Sequence, residues 1–133
     1  MRMTRSTVSE EVRNSKAYRY AKDVTEGRIV SGKRRIQACS RFLSELSMQA
    51  DENYPWRFDL ELGYRPIRFI EEFLVPTKGA YKKTTLLPWQ HFVEANLYGW
   101  VSKQTGYRRF REGLIIVGQG NGKSTMIAGN AAY

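Results

Sequence analysis

Apolar residues recur at helical spacing along most of the chain, and this pattern predicts helices from the N-terminal region onward. The first helix begins at Ser9, a residue type that caps helices, and ends at Gly27. Its apolar face comprises Ala17, Tyr20, Ala21 and Val24. The second begins at Ser31 and carries basic residues around an apolar stripe. That stripe comprises Ile36, Cys39, Leu43 and Leu46, with Phe42 beside it.

The helical period is lost between residues 51 and 63, where aromatic residues around Pro55 indicate a connector that packs against the core. Pro66 then opens a third helix at its first position, and Pro76 ends it. Its inner face comprises Ile67, Ile70, Phe73 and Leu74. Pro88 opens a fourth helix, in which Gly99 costs about 1 kcal/mol. The apolar positions of this helix are Trp89, Phe92, Val93, Leu97, Trp100 and Val101.

The pattern changes at residues 114–117, an uninterrupted apolar run that predicts a parallel strand buried on both faces. Three glycines within five positions follow, and an amphipathic stretch from Ser124 begins another helix. Backbone amides of such a loop, together with the helix N-terminus, bind phosphate. The predicted nucleotide contacts are Gly118, Gln119, Gly120, Asn121, Gly122, Lys123, Ser124 and Thr125.

Lys123 would place a positive charge on the β and γ phosphates of ATP, and the Ser124 hydroxyl would hold Mg²⁺. The loop departs from the strict phosphate-loop pattern, because Val117 occupies the position of the first glycine. The alternative is a glycine-rich turn that happens to precede Lys-Ser. The strand before the loop and the helix after it favour the nucleotide site.

The chain carries a net charge of +9, and its first fifty residues hold eleven Lys or Arg against five Asp or Glu. This basic segment indicates a polyanionic partner such as DNA, although solvated helix faces give the same signal. The cluster at residues 33–35 has the same two interpretations. With one cysteine, no apolar leader and no membrane-length apolar stretch, we expect a soluble intracellular protein.

Gln90 falls in the first turn of the fourth helix, beside Trp89. A glutamine amide can donate to N7 and accept from N6 of adenine, so Gln90 is a candidate for base recognition. His91 has no cysteine or carboxylate at ligand spacing, and we interpret it as structural rather than metal-binding.

Four segments in this order resemble the N-terminal part of bacteriophage large terminase subunits. They are YPWRFD, RPIRFIEEFLVPTKG, LLPWQHF and the GQGNGKST loop, and the resemblance runs from about Tyr18 to the last residue. It implies an ATPase that drives double-stranded DNA into a prohead, with a metal-dependent nuclease in a C-terminal part. Lys123 and Ser124 match the Walker A lysine and hydroxyl, and Gln90 matches the adenine-contacting glutamine. Gln119 stands where many members carry a basic residue.

The resemblance implies an α/β fold of the P-loop NTPase class, of the additional-strand type. We expect a basic helical lead-in over residues 1–86 and the start of the ATPase core over residues 87–133. The implied cofactors are ATP and Mg²⁺. The implied partners are double-stranded DNA, a small terminase subunit, a portal protein and further copies of the chain in a ring, in the cytoplasm of a bacterial host and with no membrane.

No catalytic residue is assigned within the chain, because the Walker B acid and the catalytic glutamate are expected beyond Tyr133. A single candidate strand cannot form a buried parallel sheet, so we expect a piece of a longer protein that, alone, is marginally folded and hydrolyses little ATP. Two alternatives remain: another P-loop motor such as a helicase, and a basic helical DNA-binding or adaptor module that binds no nucleotide.

Overall fold

The computed structural model describes residues 8–73, 85–111 and 130. Within these ranges the elements are five helices and two short strands. In chain order they are α1 (Glu10–Arg13), α2 (Lys16–Thr25), α3 (Lys33–Met48), β1 (Trp56–Phe58), α4 (Leu60–Phe73), α5 (Pro88–Gly99) and β2 (Trp100–Ser102). The strands pair antiparallel, with Phe58 opposite Trp100. The strand predicted at residues 114–117 lies outside the described residues.

The first predicted helix is two helices in the structure. Ser9 caps α1 as predicted, and its Oγ accepts the Val12 N–H at 3.2 Å. Ser15 interrupts the helix, because its Oγ accepts the Tyr18 N–H at 3.2 Å and donates to the Val12 carbonyl at 2.6 Å. Gly27, with φ of +84°, follows the end of α2. The predicted apolar face is buried and comprises Ala17, Tyr20, Ala21 and Val24.

Helix α3 begins at Lys33, later than predicted, because Gly32 rather than Ser31 precedes its first turn. Its buried face consists of Cys39, Phe42 and Leu46. Ile36 is 39% exposed, so its predicted place on the inner stripe is wrong. Residues 33–38 are all exposed, and burial of α3 therefore begins only at Cys39.

The connector predicted over residues 51–63 is wrong in its second half, which contains β1 and the start of α4. Asp59 caps α4, since its Oδ1 accepts the Leu62 N–H at 3.1 Å. The Asp59 N–H donates to the Gly99 carbonyl at 2.8 Å, which holds this cap against the end of α5. The helix therefore starts from a capping aspartate instead of from a proline.

Pro66 is buried inside α4, and the prediction that it opens the helix is wrong. A proline there removes one backbone hydrogen bond, to the carbonyl four residues earlier, so the remaining contacts of α4 must offset that cost. Ile67 and Ile70 are buried as predicted, whereas Phe73 is 65% exposed. The predicted positions of Leu74 and Pro76 lie outside the described residues.

Helix α5 starts at Pro88, as the sequence predicts, and packs against both α2 and α4. It ends at Gly99, so Trp100 and Val101 are buried on β2 rather than on the helix. The other apolar positions predicted for this helix are only half-buried: Trp89, Phe92, Val93 and Leu97.

Four aromatic rings form the centre of the main core. Phe42 lies 5.3 Å from Phe58 and 5.5 Å from Phe92, edge to face in both pairs, and Trp100 lies 5.2 Å from Phe58. These rings come from α3, β1, α5 and β2. The described helices on both sides of residue 86 thus share one core, and the predicted division after that residue stays a prediction. In the described part of the chain, no helix combines the length and apolarity that crossing a bilayer requires.

We expect Gly99→Ala to destabilise the protein by roughly 1–3 kcal/mol, although alanine is the better helix former. A Cβ at this position would lie 2.6 Å from Phe58 Cε1 and 3.2 Å from the Asp59 carbonyl oxygen. Urea denaturation measures the change. Gly32→Ala is the control, because a Cβ there meets nothing within 4 Å. An equal or smaller loss at Gly99 would contradict the close packing of Phe58.

Candidate functional site

The first turn of α5 is held by the side chain of Gln90. Gln90 Oε1 accepts the N–H of Leu87, the N-cap residue, at 2.7 Å, and Pro88 occupies the first helical position. Gln90 is 3% exposed. The sequence placed Gln90 correctly in a helix start but missed this capping bond. The cap uses the Gln90 carboxamide oxygen, and adenine recognition by Gln90 stays a prediction.

The buried side of α5 is polar. Gln90, His91 and Glu94 are all at most 5% exposed, and they occupy one helical stripe together with Ala95. The sequence predicts an apolar inner stripe on this helix, and its Phe92 does pack in the main core. The polar stripe is buried as well, because α5 lies between α2 and α4, so that almost every side of the helix is at least partly covered.

A chain of hydrogen bonds connects α2, α4 and α5 through His91. The Tyr64 hydroxyl accepts the Ala17 N–H at 3.2 Å and lies 3.0 Å from His91 Nδ1. The other ring nitrogen, Nε2, lies 3.6 Å from Glu71 Oε2. Burial lowers the pKa of His91, partly opposed by the negative charge of Glu71. His91 is neutral at pH 7 and links three helices, in line with the structural interpretation.

A pocket of about 550 Å³ lies beside this chain of hydrogen bonds, at the start of α2. It brings Lys16 and Arg68 near Glu11 and Glu61, and Arg68 pairs with Glu61 at 2.7 Å. Since the charged groups on the wall balance, the pocket offers no net charge that would select an ion.

Glu94 lies one turn beyond Gln90 and is fully buried. Its Oε2 accepts from Asn130 Nδ2 at 2.9 Å, while its Oε1 has no hydrogen-bond partner in the part of the chain that the structure describes. Burial raises the pKa of Glu94 to about 7, against a smaller opposing effect of the Asn130 bond. Neither residue has a role predicted from the sequence, although a carboxylate between Val93 and Ala95 is a detectable signal.

The phosphate-loop residues lie outside the described part of the chain. They are Gly118, Gln119, Gly120, Asn121, Gly122, Lys123, Ser124 and Thr125. Their predicted contacts with nucleotide and Mg²⁺ stay predictions. Asn130 is the described residue nearest to them in sequence on the C-terminal side, and its amide donates to Glu94 on α5.

Residues 88–133 match a protein-family model described as the ATPase domain of the terminase large subunit. The resemblance to terminases is confirmed over this segment. The terminase match begins at Pro88, the first residue of α5, and includes Gln90, Glu94 and the whole glycine-rich loop. It supports a P-loop NTPase fold and a nucleotide-binding role for the last third of the chain, and the helices with the short sheet are compatible with that fold. No curated protein and no solved structure matches the chain.

Proposed function

We propose that the chain is the nucleotide-binding segment of a terminase large subunit, the ATP-driven motor that packages double-stranded DNA into phage proheads. The observation that carries this proposal is the terminase ATPase match over residues 88–133, which contains the glycine-rich loop and Lys123. The match supports ATP binding most directly. Packaging, a nuclease in the same protein and a ring of subunits are the further parts of the proposal.

In this proposal the loop amides and Lys123 contact the phosphates of ATP, and Ser124 binds Mg²⁺. A lysine point charge, a hydroxyl oxygen and glycine amides are the groups that a magnesium-nucleotide complex requires, so the residues present fit the cofactor. When bound, Mg²⁺ neutralises charge on the β and γ phosphates. Helix α5 would carry the base contact through Gln90.

Double-stranded DNA is the proposed polymer partner. The exposed start of α3 carries Lys33, Arg34 and Arg35 in one turn, on a chain with net charge +9. Such a cluster contacts phosphates without reading sequence. A small terminase subunit and a portal protein complete the assembly proposed from the family.

Calorimetric titration of the chain with Mg-ATP tests the nucleotide-binding proposal. Binding that requires Mg²⁺ and competes with ADP supports it, and its absence in a folded chain would favour a basic helical DNA-binding module. For the intact protein, DNA entry into proheads separates a terminase from a helicase, which would unwind a duplex instead.

Gln90→Ala is expected to reduce the preference of the intact protein for ATP over GTP. Loss of a bidentate contact to adenine costs about 1–3 kcal/mol where it is buried. The ratio of kcat/KM for the two nucleotides measures this preference. Because Gln90 also caps α5, Gln90→Glu is the matched control: it keeps an acceptor for the Leu87 N–H but lacks the amide donor. Both variants should lose the preference, and an unchanged ratio in both would leave Gln90 with its capping role alone.

A further inference from the structure

Glu94 and Asn130 leave two oxygen atoms without hydrogen-bond partners in a buried place. Among the described residues, Glu94 Oε1 and Asn130 Oδ1 both lack a donor, while the other two polar atoms of the pair are joined at 2.9 Å. Two unpaired acceptors on neighbouring side chains are costly, because each has lost its bonds to water. An ionised carboxylate cannot relieve this, since it has no proton to donate.

One proton on Glu94, donated from Oε1 to Asn130 Oδ1, would satisfy both atoms. A carboxylic acid and a primary amide can form two hydrogen bonds side by side, with the amide N–H donating to one acid oxygen and the acid O–H donating to the amide oxygen. The first of these bonds is present, from Asn130 Nδ2 to Glu94 Oε2. The two atoms left over are an acid oxygen and an amide oxygen, the pair that the second bond requires.

No cation takes the place of this proton in the described part of the chain. Charged and titratable groups on the elements around α5 include those of α2, α4 and the segment after β2: Lys16, Arg19, Tyr20, Asp23, Tyr64, Arg65, Arg68, Glu71 and Arg108. None of them forms an ion pair or hydrogen bond with Glu94 among the described contacts, and on α5 itself His91 bonds to Tyr64. Burial and the Asn130 bond are the two influences on its pKa.

We propose that Glu94 holds a proton in the folded protein and forms a two-point hydrogen-bonded pair with the Asn130 carboxamide, which fixes residue 130 to α5. Gln90 and Glu94 lie one turn apart on the same face of that helix. Asn130 lies six residues beyond Ser124 in the sequence. On the proposed function, Glu94 is thus a positioning residue, because it holds residue 130 at the helix that carries Gln90.

Infrared difference spectra of the intact protein without nucleotide test the proton directly. The wild type minus Glu94→Gln spectrum should show the carbonyl band of a protonated acid at pH 6, and this band should disappear with a midpoint near pH 7. The band should also shift in Asn130→Leu, which removes the amide partner. Glu52→Gln, at an exposed position, is the control and should show no such band at pH 6. A Glu94 carboxyl that is already ionised at pH 6 would overturn the proposal.

If Glu94→Gln fails to fold, NMR of the wild type and of Asn130→Leu with ¹³C-labelled glutamate carboxyls replaces it. One carboxyl that titrates near pH 7 in the wild type and is displaced by Asn130→Leu supports the pair. If no glutamate carboxyl within residues 8–73 and 85–111 titrates above the ordinary glutamate pKa of 4.5, the proposal is overturned.

The positioning role has its own readout, the pH dependence of KM for ATP. As pH rises past 7, the wild-type KM should increase about tenfold relative to kcat, the change expected for loss of one neutral hydrogen bond. Glu94→Gln should remove this dependence, because a glutamine amide keeps both hydrogen bonds at every pH. If Glu94→Gln follows the wild-type profile, the positioning role is wrong. Lys123→Ala should lose nucleotide but keep the acid band, so a failure of the proposed function leaves the proton test intact.

Discussion

Lys123→Ala is expected to abolish ATP hydrolysis by the intact protein while leaving its fold unchanged. In a phosphate loop the lysine ammonium contacts the β and γ phosphates, and it neutralises the charge that moves between them in the transition state. A methyl group at this position supplies neither the charge nor a hydrogen bond. We expect turnover to fall by about a thousandfold or more, the scale on which preorganised charge contributes to such reactions.

Steady-state release of phosphate measures this loss, and circular dichroism reports whether the helices are kept. Lys22→Ala is the matched control, because Lys22 lies on the surface of α2 and its ion pair among the described residues is with Glu26, at 3.0 Å, with the two side chains 41% and 42% exposed. Exposed pairs of this kind contribute little to stability. Wild-type turnover in Lys123→Ala would show that the glycine-rich loop is not a phosphate site.

Helices that depend on residues close together in the sequence could be predicted. The start of α5 follows from Pro88 at its first position, and the inner face of α2 follows from the spacing of Ala17 to Val24. Strands β1 and β2 could not be predicted in this way. Each contains three residues, and their pairing joins Trp56 to Ser102, which are far apart in sequence.

The orientation of α5 shows a different limit of the sequence pattern. Periodicity locates the apolar stripe of a helix, but that stripe faces the core only when one side of the helix is covered. Helix α5 is covered by α2 and by α4, and Gly63 approaches Ala95 so closely that a Cβ would lie 3.0 Å from its carbonyl oxygen. Gly63 and Ala95 therefore lie at the contact between α4 and α5. The polar stripe of α5 beside Ala95 is buried by the same contact.

The candidate site could be predicted in part. The sequence predicts Gln90 in the first turn of a helix, where the structure has it, because Pro88 marks that turn. Its bond to Leu87 is local and could have been predicted from the capping spacing. The partners of His91 and Glu94 could not, since Tyr64 and Asn130 lie 27 and 36 residues away in sequence.

Arg109 contacts helix α3 and strand β1, which are distant from it in the sequence. Its guanidinium donates to both carboxylate oxygens of Glu45 on α3, at 3.0 and 3.1 Å, and lies 5.3 Å from the Trp56 ring centre and 4.8 Å from that of Phe110. The side chains of Arg109 and Glu45 are 14% and 15% exposed. A planar, bidentate and stacked arrangement of this kind is specific to arginine.

Arg109→Leu is therefore expected to lower the free energy of unfolding by roughly 3 kcal/mol, because it leaves the Glu45 carboxylate mostly buried, with Arg41, at 3.2 Å, as its remaining cationic partner among the described residues. Urea unfolding followed by tryptophan fluorescence measures this loss and reports on Trp56 directly. Arg111→Leu is the control, since Arg111 is exposed two residues later. Equal effects of the two substitutions would contradict the structural role of Arg109.

The ion pair between Arg109 and Glu45 also predicts how the loss of unfolding free energy in Arg109→Leu depends on pH. Burial acts to raise the pKa of Glu45, but the hydrogen bonds and charges of Arg109 and Arg41 outweigh it and hold that pKa below its ordinary value of 4.5. A carboxyl whose pKa is lowered by folding stabilises the protein above its ordinary pKa, and that contribution is lost as pH falls through the lowered value. The stability difference between wild type and Arg109→Leu should thus be full at pH 7 and shrink below pH 4.5. A difference that stays constant down to acid pH would show that Arg109 acts through its packing on Trp56 and Phe110, and not through its charge.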